Sequence, residues 1–318
     1  MKIVVLERNS VGPDIPVDFS ELGEVTYYAN TVTIDEVKER VKDADIIVAN
    51  KSPINAETLE TAPNVKLVCE FATGYDNVDL EYCKRRGIRV CNVVDYSTAM
   101  VAQHTFALAL FVSQKLRHYD DYVKSGEYAA QSRFSNFDIP FNELDGKTWG
   151  IVGMGNIGRR VARIAESFGC RIIFYSITGK SSVTEYEQVD FETLLKESDY
   201  LSLHCPLSDL SRNLIDAVAL SKMKKSAILI NVARGPIVNN HDLAVALEEG
   251  TIAGAGLDVL EKEPITLDNP LSKQLDSKKL IITPHLAWGS VEARMRCVEG
   301  VRNNIKAFQA GGILNPVV

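Results

Sequence analysis

The chain has 318 residues, which at roughly 150 residues per domain predicts about two domains, each with a core of its own. Apolar residue types make up 46% of the sequence and charged types 24%, and the formal net charge is −7. An acidic chain without basic blocks argues against nucleic acid or an anionic membrane as the main partner. The longest apolar stretch, 99–112, is interrupted by Gln103 and His104 and is too short to span a bilayer.

The cysteines and the first residues of the chain bear on its location. The six cysteines include no CxxC pair, which favours buried thiols in a reducing compartment over a disulfide framework or a metal site. The apolar run 3–6 is followed at once by Glu7 and Arg8, which is not typical of a signal peptide. These observations predict a cytoplasmic protein without a bound metal.

Short β-branched runs alternate with amphipathic stretches along the first third of the chain. Near-continuous apolar strands of this kind are typical of a parallel sheet that is covered on both faces. The predicted strands are 3–7, 24–28, 46–50, 66–71 and 89–93, and the predicted helices are 34–42 and 80–86. A long helical stretch over 97–124 and an irregular segment over 125–145 follow.

A second series of the same texture occupies the rest of the chain. Its predicted strands are 148–152, 171–175, 200–205, 227–232 and 280–283, and its predicted helices are 156–167, 191–197, 240–249 and 291–310. Regular alternation of strands and helices predicts the α/β class, with doubly wound parallel sheets rather than a sandwich.

The sequence GMGNIG at 153–158 has the G-x-G-x-x-G spacing between a predicted strand and a predicted helix. Gly153 permits a tight turn, Gly155 lets a pyrophosphate approach the backbone, and Gly158 lets the helix pack closely on the strand. The free N–H groups at the helix N-terminus attract phosphates. A bare match is weak because it also fits a plain strand-to-helix turn, but this context predicts dinucleotide binding.

The end of the next predicted strand departs from the common NAD pattern. An acidic residue about 20 residues after the glycines normally binds the ribose 2′-hydroxyl, whereas this chain has Ser176 at that position. No acidic residue follows until Glu185. The sequence therefore leaves NAD and NADP open as the cofactor.

Arg234, Glu263 and His285 each adjoin an apolar stretch of the second series. Ligands of open parallel sheets bind outside the carboxyl ends of the strands, where these three residues are expected. Singly, each is more often a turn residue or a solvated side chain; together they favour a site. Reduction of a 2-oxo acid requires such a set, namely a histidine as proton donor, a carboxylate beside it and an arginine for the substrate carboxylate.

These residues also carry a resemblance to a known family. The segments 231–235, 256–264 and 283–285 resemble the D-isomer-specific 2-hydroxyacid dehydrogenases, and the resemblance extends over nearly the whole chain. The segments ATGYDNVD at 72–79, 96–105 and PHLAW at 284–288 resemble the branch of glycerate dehydrogenases and hydroxypyruvate reductases.

The resemblance implies a flavodoxin-like substrate domain formed by residues 1–97 and 287–318, into which a Rossmann dinucleotide-binding domain of residues 98–286 is inserted. It implies Arg234 as substrate anchor, His285 as general acid/base and Glu263 as the partner of His285. The implied substrate-binding residues are Thr73, Gly74, Arg234 and His285. The cofactor-binding residues predicted from the glycine loop and the resemblance are Gly153, Gly155, Asn156, Ile157, Gly158, Ser176, His204, Cys205, Pro206, Val232, Ala233 and Asp258.

The implied activity is hydride transfer between NAD or NADP and a small (R)-2-hydroxy acid or 2-oxo acid such as glycerate, hydroxypyruvate or glyoxylate. The family usually forms homodimers through the nucleotide domain, with the segment after the long helix as an arm. A dinucleotide-sensing scaffold that binds partner proteins is the alternative from another class. Phosphoglycerate oxidation in a regulated enzyme is disfavoured, because no appended regulatory domain is expected after the closing helix.

Overall fold

The computed structural model of the protein describes residues 1–318. The strands are β1 (Lys2–Val5), β2 (Glu24–Tyr27), β3 (Ile46–Ala49), β4 (Leu67–Glu70), β5 (Arg89–Cys91), β6 (Thr148–Val152), β7 (Arg171–Tyr175), β8 (Glu187–Gln188), β9 (Tyr200–Leu203), β10 (Ile228–Asn231), β11 (Gly254–Leu257) and β12 (Leu280–Ile282). The α-helices are α1 (Ile34–Val41), α2 (Ala56–Leu59), α3 (Leu80–Arg86), α4 (Thr98–Ser113), α5 (Leu116–Lys124), α6 (Glu127–Ala130), α7 (Asn156–Ser167), α8 (Phe191–Glu197), α9 (Ala217–Lys222), α10 (Asn240–Glu249) and α11 (Val291–Gln309). None of these helices combines the length and the apolar character that crossing a membrane requires.

The chain divides into two compact units. Unit 1 comprises residues 1–97 and 288–318, and unit 2 comprises residues 98–287. Each unit has its own parallel sheet and its own buried core.

The sheet of unit 1 has five strands in the order β2-β1-β3-β4-β5, and every pairing is parallel. This is the flavodoxin-like strand order. All residues of β3 and β4 are buried, as expected for strands that are covered on both faces. The C-terminal helix α11 belongs to this unit, where Asn304 Nδ2 donates to the carbonyl of Asn92 at 2.8 Å.

The sheet of unit 2 has seven parallel strands in the order β12-β11-β10-β9-β6-β7-β8. Read from β8, the first six strands follow the Rossmann order 3-2-1-4-5-6, and β12 adds a seventh. The strand order reverses between β6 and β9, so the ligand crevice of such a sheet opens beyond their carboxyl ends. The prediction of two doubly wound parallel sheets, one flavodoxin-like and one Rossmann, is confirmed.

Strand β11 was absent from the predicted elements because its sequence, GAGL, contains two glycines. The structure shows why glycine is needed there, since α4 packs directly against this strand. A Cβ on Gly254 would lie 2.5 Å from a methyl carbon of Val112, and one on Gly256 would lie 2.8 Å from the Cβ of Leu108. The two glycines let the helix approach the strand more closely than side chains would allow.

The helical stretch predicted over 97–124 is two helices. Between α4 and α5, Lys115 adopts a left-handed conformation with φ of 56°, which ends the first helix and redirects the chain. The segment after α5 was predicted to be irregular and contains the single helical turn of α6. The break at Lys115 is not marked by a glycine or proline, so the sequence did not indicate it, whereas the extra turn follows Gly126, which has φ of 84°.

Candidate active site

The glycine loop joins β6 to α7. Gly153 has φ of 92°, and a Cβ there would lie 2.9 Å from the backbone nitrogen of Cys205. A Cβ on Gly158 would lie 2.3 Å from the carbonyl oxygen of Gly153, so this position must be glycine for the helix to pack on the turn. A Cβ on Gly155, in contrast, would meet no atom within 4 Å.

The same loop fits a dinucleotide phosphate. Gly155 is the N-cap of α7 and no side chain caps this helix, so the N–H groups of its first turn, which include Asn156 and Ile157, have no side-chain acceptor. A helix N-terminus with unused N–H groups and open space in front of them is suited to an anion.

Ser176 follows the last residue of β7 and begins a turn. The N–H of Gly179 donates to the carbonyl of Ser176 at 3.0 Å, and the N–H of Lys180 donates to Thr178 Oγ1 at 3.4 Å. The N–H of Gly153 donates to the carbonyl of Tyr175 at 3.0 Å, which places this turn beside the glycine loop. The turn therefore presents two hydroxyl groups and a lysine and no carboxylate.

The end of β9 carries His204, Cys205 and Pro206. A hydrogen-bond chain runs from Trp149 Nε1 to Ser202 Oγ at 2.9 Å and from Ser202 Oγ to His204 Nε2 at 3.0 Å. Burial lowers the pKa of His204 to about 3, so its ring is neutral near pH 7.

Burial has the opposite consequence for the neighbouring thiol. It raises the pKa of Cys205 to about 11, so this residue is a thiol near pH 7 and is not poised as a nucleophile. Cys205 is buried, whereas Pro206 is exposed.

Arg234 lies in a turn after β10 that is fixed by the fully buried Asn231. The side chain of Asn231 donates to the carbonyl of Arg234 at 2.9 Å and accepts from the N–H of Ala233 at 3.0 Å. Val232 and Ala233 are buried. The guanidinium of Arg234 donates to the carbonyl of Ala233 at 2.8 Å, so one of its nitrogens contacts the backbone of its own turn.

The next residue, Gly235, joins this turn to the segment that follows β11. A Cβ on Gly235 would lie 1.8 Å from the carbonyl oxygen of Leu260, so the two backbones pass at a distance that only glycine permits. The N–H of Leu260 in turn donates to Glu263 Oε1 at 3.0 Å. The positions of Arg234 and Glu263 are therefore linked through the backbone.

His285 and Glu263 form a close pair. His285 Nδ1 lies 2.7 Å from Glu263 Oε2, with the histidine side chain 26% exposed and the glutamate side chain 33% exposed. Because the carboxylate accepts from Nδ1–H, proton transfer to a substrate would involve the Nε2 atom. The sequence expectation that these two residues are partners agrees with this geometry, and their catalytic roles remain predictions.

Asp258 has a nearly fully buried side chain that holds the segment after β12. Its carboxylate accepts from Thr283 Oγ1 at 2.6 Å, from the N–H of Leu286 at 2.9 Å and from the N–H of Ala287 at 2.8 Å. Its backbone carbonyl accepts from the N–H of His285 at 2.8 Å. The predicted role of Asp258 in cofactor binding stays a prediction, and the geometry shows that most of its acceptor capacity serves this segment.

In unit 1, Thr73 and Gly74 lie in the loop after β4. Thr73 Oγ1 donates to the carbonyl of Val93 at 2.9 Å, and Asn92 Nδ2 donates to the carbonyl of Thr73 at 2.7 Å. The backbone N–H groups of Thr73 and Gly74 donate to no other backbone group, so they are suited to receive a carboxylate. These two residues stand at the carboxyl end of their sheet.

A buried acid lies just before this loop. Glu70 is fully buried, Asn77 Nδ2 donates to its Oε1 at 3.3 Å, and its Oε2 has no hydrogen-bond partner. Burial raises the pKa of Glu70 well above its ordinary value, and the nearby Glu7 adds to this shift. Sequence reasoning missed this acid, because a glutamate at the end of an apolar strand is usually solvated.

The structure thus places the predicted residues of unit 2 along the carboxyl edge of one sheet. Gly153, His204, Asp258 and Arg234 follow β6, β9, β11 and β10, and His285 follows β12. Sequence reasoning missed Asn231 as the clamp of the arginine turn, and it missed His104 and Thr283, which contact Asp258. No group of three or more histidine, cysteine or acidic side chains is arranged to hold a metal ion.

A Rossmann crevice beside a histidine–carboxylate pair and an arginine defines a nicotinamide-dependent oxidoreductase. Residues 106–287 match the family described as D-isomer specific 2-hydroxyacid dehydrogenase, NAD binding domain. The chain belongs to this family of enzymes, which confirms the resemblance stated above and a cofactor of the NAD or NADP type.

Relatives and solved structures support the same assignment over the full length. A hydroxypyruvate reductase of Blautia hydrogenotrophica is 39% identical, with 100% of this chain and 99% of the relative covered. A glycerate dehydrogenase of Methylorubrum extorquens is 37% identical, with 99% and 98% covered. The crystal structure of an NADPH-dependent glyoxylate/hydroxypyruvate reductase of Sinorhizobium meliloti, in complex with NADP and malonate, is 29% identical and has a TM-score of 0.84, with 100% and 96% covered.

The glycine loop yields a paired test. Gly158→Ala should lower the free energy of unfolding by about 1–3 kcal/mol, because its Cβ would meet the turn. Gly155→Ala should change that free energy by less than about 0.5 kcal/mol, because its Cβ meets no protein atom. Gly155→Ala should nevertheless weaken NADH binding roughly tenfold, about 1.4 kcal/mol, because the added methyl group would enter the space expected for the cofactor phosphates.

Denaturant unfolding and fluorescence titration with NADH measure the two quantities on each variant. Unchanged NADH affinity in Gly155→Ala would place the phosphates elsewhere. If Gly155→Ala lost as much stability as Gly158→Ala, protein atoms would have to occupy the space in front of the helix.

Proposed function

We propose that this enzyme transfers a hydride between NADH or NADPH and a small 2-oxo acid, with the (R)-2-hydroxy acid as the product, and that His285 is its general acid/base. The observation that carries the proposal is the 2.7 Å contact between His285 Nδ1 and Glu263 Oε2 at the carboxyl edge of the Rossmann sheet. The bound cofactor supplies the hydride. The remaining requirements, a proton and a fixed substrate orientation, fall to side chains of the protein.

His285 would supply the proton. Glu263 accepts the hydrogen bond from Nδ1, so it fixes the tautomer and the plane of the ring. The Nε2–H then gives its proton to the oxygen of the substrate carbonyl as that oxygen gains negative charge, and it takes a proton back from the hydroxyl group in the reverse direction. Glu263 cannot turn away easily, because its second oxygen accepts from the N–H of Leu260.

Arg234 would anchor the substrate. Its planar guanidinium suits a carboxylate, and the turn that carries it is held by the buried Asn231. The backbone N–H groups of Thr73 and Gly74 are further candidates for the carboxylate. We assign the dinucleotide role to unit 2, which also carries Arg234 and His285, and a part in substrate binding to unit 1.

For the cofactor, we propose the predicted residues of the loops after β6, β7, β9, β10 and β11 as its contacts. The open space at Gly155, the uncapped N-terminus of α7 and the turn that begins at Ser176 support this proposal. Every relative described above has a name or title of a reductase or dehydrogenase, and this favours enzymatic activity over the alternative of a sensing scaffold.

We propose hydroxypyruvate or glyoxylate as the substrate class, which rests on the names of the relatives. Reduction of hydroxypyruvate yields glycerate, so the hydroxypyruvate reductase and the glycerate dehydrogenase are named for the two directions of one reaction. A panel of 2-oxo acids assayed with NADH and NADPH tests this proposal. We expect kcat/KM to be highest for hydroxypyruvate or glyoxylate, and a preference for phenylpyruvate would overturn it.

We further propose a homodimer formed by unit 2 in a reducing compartment such as the cytoplasm. The segment after α5 exposes Phe134 by 90%, Phe137 by 76% and Phe141 by 51%, which is unusual for a surface that stays in contact with water. All six cysteines are free and buried, as suits a compartment without disulfide formation. Sedimentation of the intact chain measures the oligomeric state.

The role of His285 is tested by His285→Ala. We expect turnover to fall by about 10²–10⁴-fold, because a positioned acid contributes that much, while NADH affinity stays nearly unchanged. His241→Ala is the matched control, since His241 is an exposed histidine on α10. Steady-state kinetics with the preferred 2-oxo acid and NADH titration give the two readouts, and near-normal turnover of His285→Ala would remove His285 from the mechanism.

The role of Ser176 is tested through cofactor choice. The wild-type enzyme should accept NADPH at a measurable rate, because no carboxylate stands at this turn to repel a 2′-phosphate. Ser176→Asp should shift the ratio of kcat/KM toward NADH at least about tenfold, which equals about 1.4 kcal/mol. Ser176→Asn, of the same size as aspartate but uncharged, separates repulsion from bulk. An unchanged ratio in Ser176→Asp, or complete rejection of NADPH by the wild type, would locate discrimination elsewhere.

A further inference from the structure

A chain of hydrogen bonds connects helix α4 to the residue that holds the catalytic segment. His104 Nε2 lies 2.9 Å from Thr283 Oγ1, and Thr283 Oγ1 donates to Asp258 Oδ1 at 2.6 Å. His104 Nε2 also lies 3.5 Å from the same carboxylate oxygen. All three side chains belong to unit 2, and they come from α4, from the end of β11 and from the end of β12.

The positions of the hydrogens in this chain follow from counting donors. The hydroxyl of Thr283 has a single hydrogen, which it gives to the carboxylate of Asp258. Its oxygen must then accept from His104, so His104 carries its hydrogen on Nε2. Desolvation lowers the pKa of His104, which favours the neutral ring with this tautomer.

This chain of hydrogen bonds is buried, and the helix from which it starts is fixed in place. The side chain of His104 is 10% exposed and that of Asp258 is 1% exposed, so water does not compete for these hydrogen bonds. Helix α4 is held close to β11 by the glycines of that strand, where Gly256 leaves room for Leu108. The side chain of His104 is therefore attached to a helix whose position is fixed.

At the other end, Asp258 holds the backbone of the proposed acid/base and of the two residues that follow it. It accepts the N–H groups of His285, Leu286 and Ala287, the first on its carbonyl and the others on its carboxylate. His285 itself has φ of 55°, a conformation that residues other than glycine seldom adopt and that the surroundings must maintain. In this conformation its ring reaches Glu263, with Nδ1 2.7 Å from Oε2.

We propose that His104 and Thr283 are positioning residues for His285, which act through Asp258 and touch neither substrate nor cofactor. This inference rests on the proposed function of His285. Loss of the Thr283 hydroxyl removes one hydrogen bond from Asp258 Oδ1 and leaves the N–H of His104 with only the more distant carboxylate oxygen of Asp258, at 3.5 Å. The segment of His285 then relaxes, and the contact between its Nδ1 and Glu263 lengthens.

The experiment compares Thr283→Val with Thr283→Ser in the full-length enzyme. Valine keeps the shape of threonine without its hydroxyl, whereas serine keeps the hydroxyl. For Thr283→Val we expect kcat to fall between about tenfold and 10²-fold, since a displacement of about 1 Å at a reacting group has that effect. The KM of Thr283→Val for NADH should change by less than about twofold. Thr283→Ser should keep kcat within about threefold of the wild type.

A second pair of variants tests the other end of the chain. His104→Gln keeps an N–H donor near the position of Nε2, and His104→Leu removes it. We expect His104→Leu to reproduce the loss of kcat and His104→Gln to retain most of the activity. This pair decides the matter if Thr283→Val does not fold, which thermal unfolding of each variant reports.

The outcomes separate this inference from the proposed function. If His285→Ala abolishes turnover while Thr283→Val and His104→Leu leave kcat within twofold of the wild type, the positioning role is wrong and the proposed function stands. Equal impairment of Thr283→Ser and Thr283→Val, or losses that appear in the KM for NADH instead of kcat, would also overturn the positioning role. If His285→Ala retains turnover, the proposed function fails.

Discussion

The arrangement at the carboxyl edge of unit 2 depends on one buried carboxylate, that of Asp258. An ionised carboxylate taken out of water is costly unless its oxygens are hydrogen-bonded, and here they accept from one hydroxyl and two backbone N–H groups. Because these acceptors are fixed at the end of β11, the chain that leaves β12 places the N–H groups of His285, Leu286 and Ala287 against Asp258. The conformation of His285 is consistent with these hydrogen bonds, and in it the ring contacts Glu263.

A second constraint joins the other polar residues to the same framework. The turn of Arg234 crosses the backbone at Leu260 where Gly235 allows contact, and Leu260 donates its N–H to Glu263. The side-chain amide of Asn231 closes the arginine turn, since its Nδ2 donates to the carbonyl of Arg234 and its Oδ1 accepts from the N–H of Ala233. Backbone contacts thus join Arg234 to Glu263, and the side-chain contact of Glu263 with His285 links the third residue to them.

The sequence predicts the regular elements well where local signals are strong. Helices α3 and α10 begin and end where expected, because Gly87 and Gly250 adopt the left-handed conformation that terminates a helix. Several strands end one or two residues earlier than predicted, since the apolar run continues past the last paired residue. The glycine-rich β11 and the break at Lys115 escape prediction because their causes are the packing of α4 and a single backbone dihedral.

The candidate site shows the same division between local and distant causes. The glycine loop and the residues that follow β10 and β12 can be found from sequence, because position at a strand end is a local property. The link between His104, Asp258 and Thr283 cannot, since it joins residues separated by 154 and 25 positions and each looks ordinary where it stands.

The residues of the candidate site also differ in how freely they can be substituted. The groups proposed for the chemistry lie in turns that are tied to buried backbone, so a substitution there leaves polar groups without partners and costs stability. Ser176 and Lys180, in contrast, lie in a surface turn whose hydrogen bonds are its own, and Thr73 is exposed at its loop. If the proposed roles of these residues hold, substitutions there would alter the binding of cofactor or acid while the fold is retained. A framework of this type can therefore change at its surface turns while its core is kept, which suits a family whose members are 37–39% identical to this chain over its whole length.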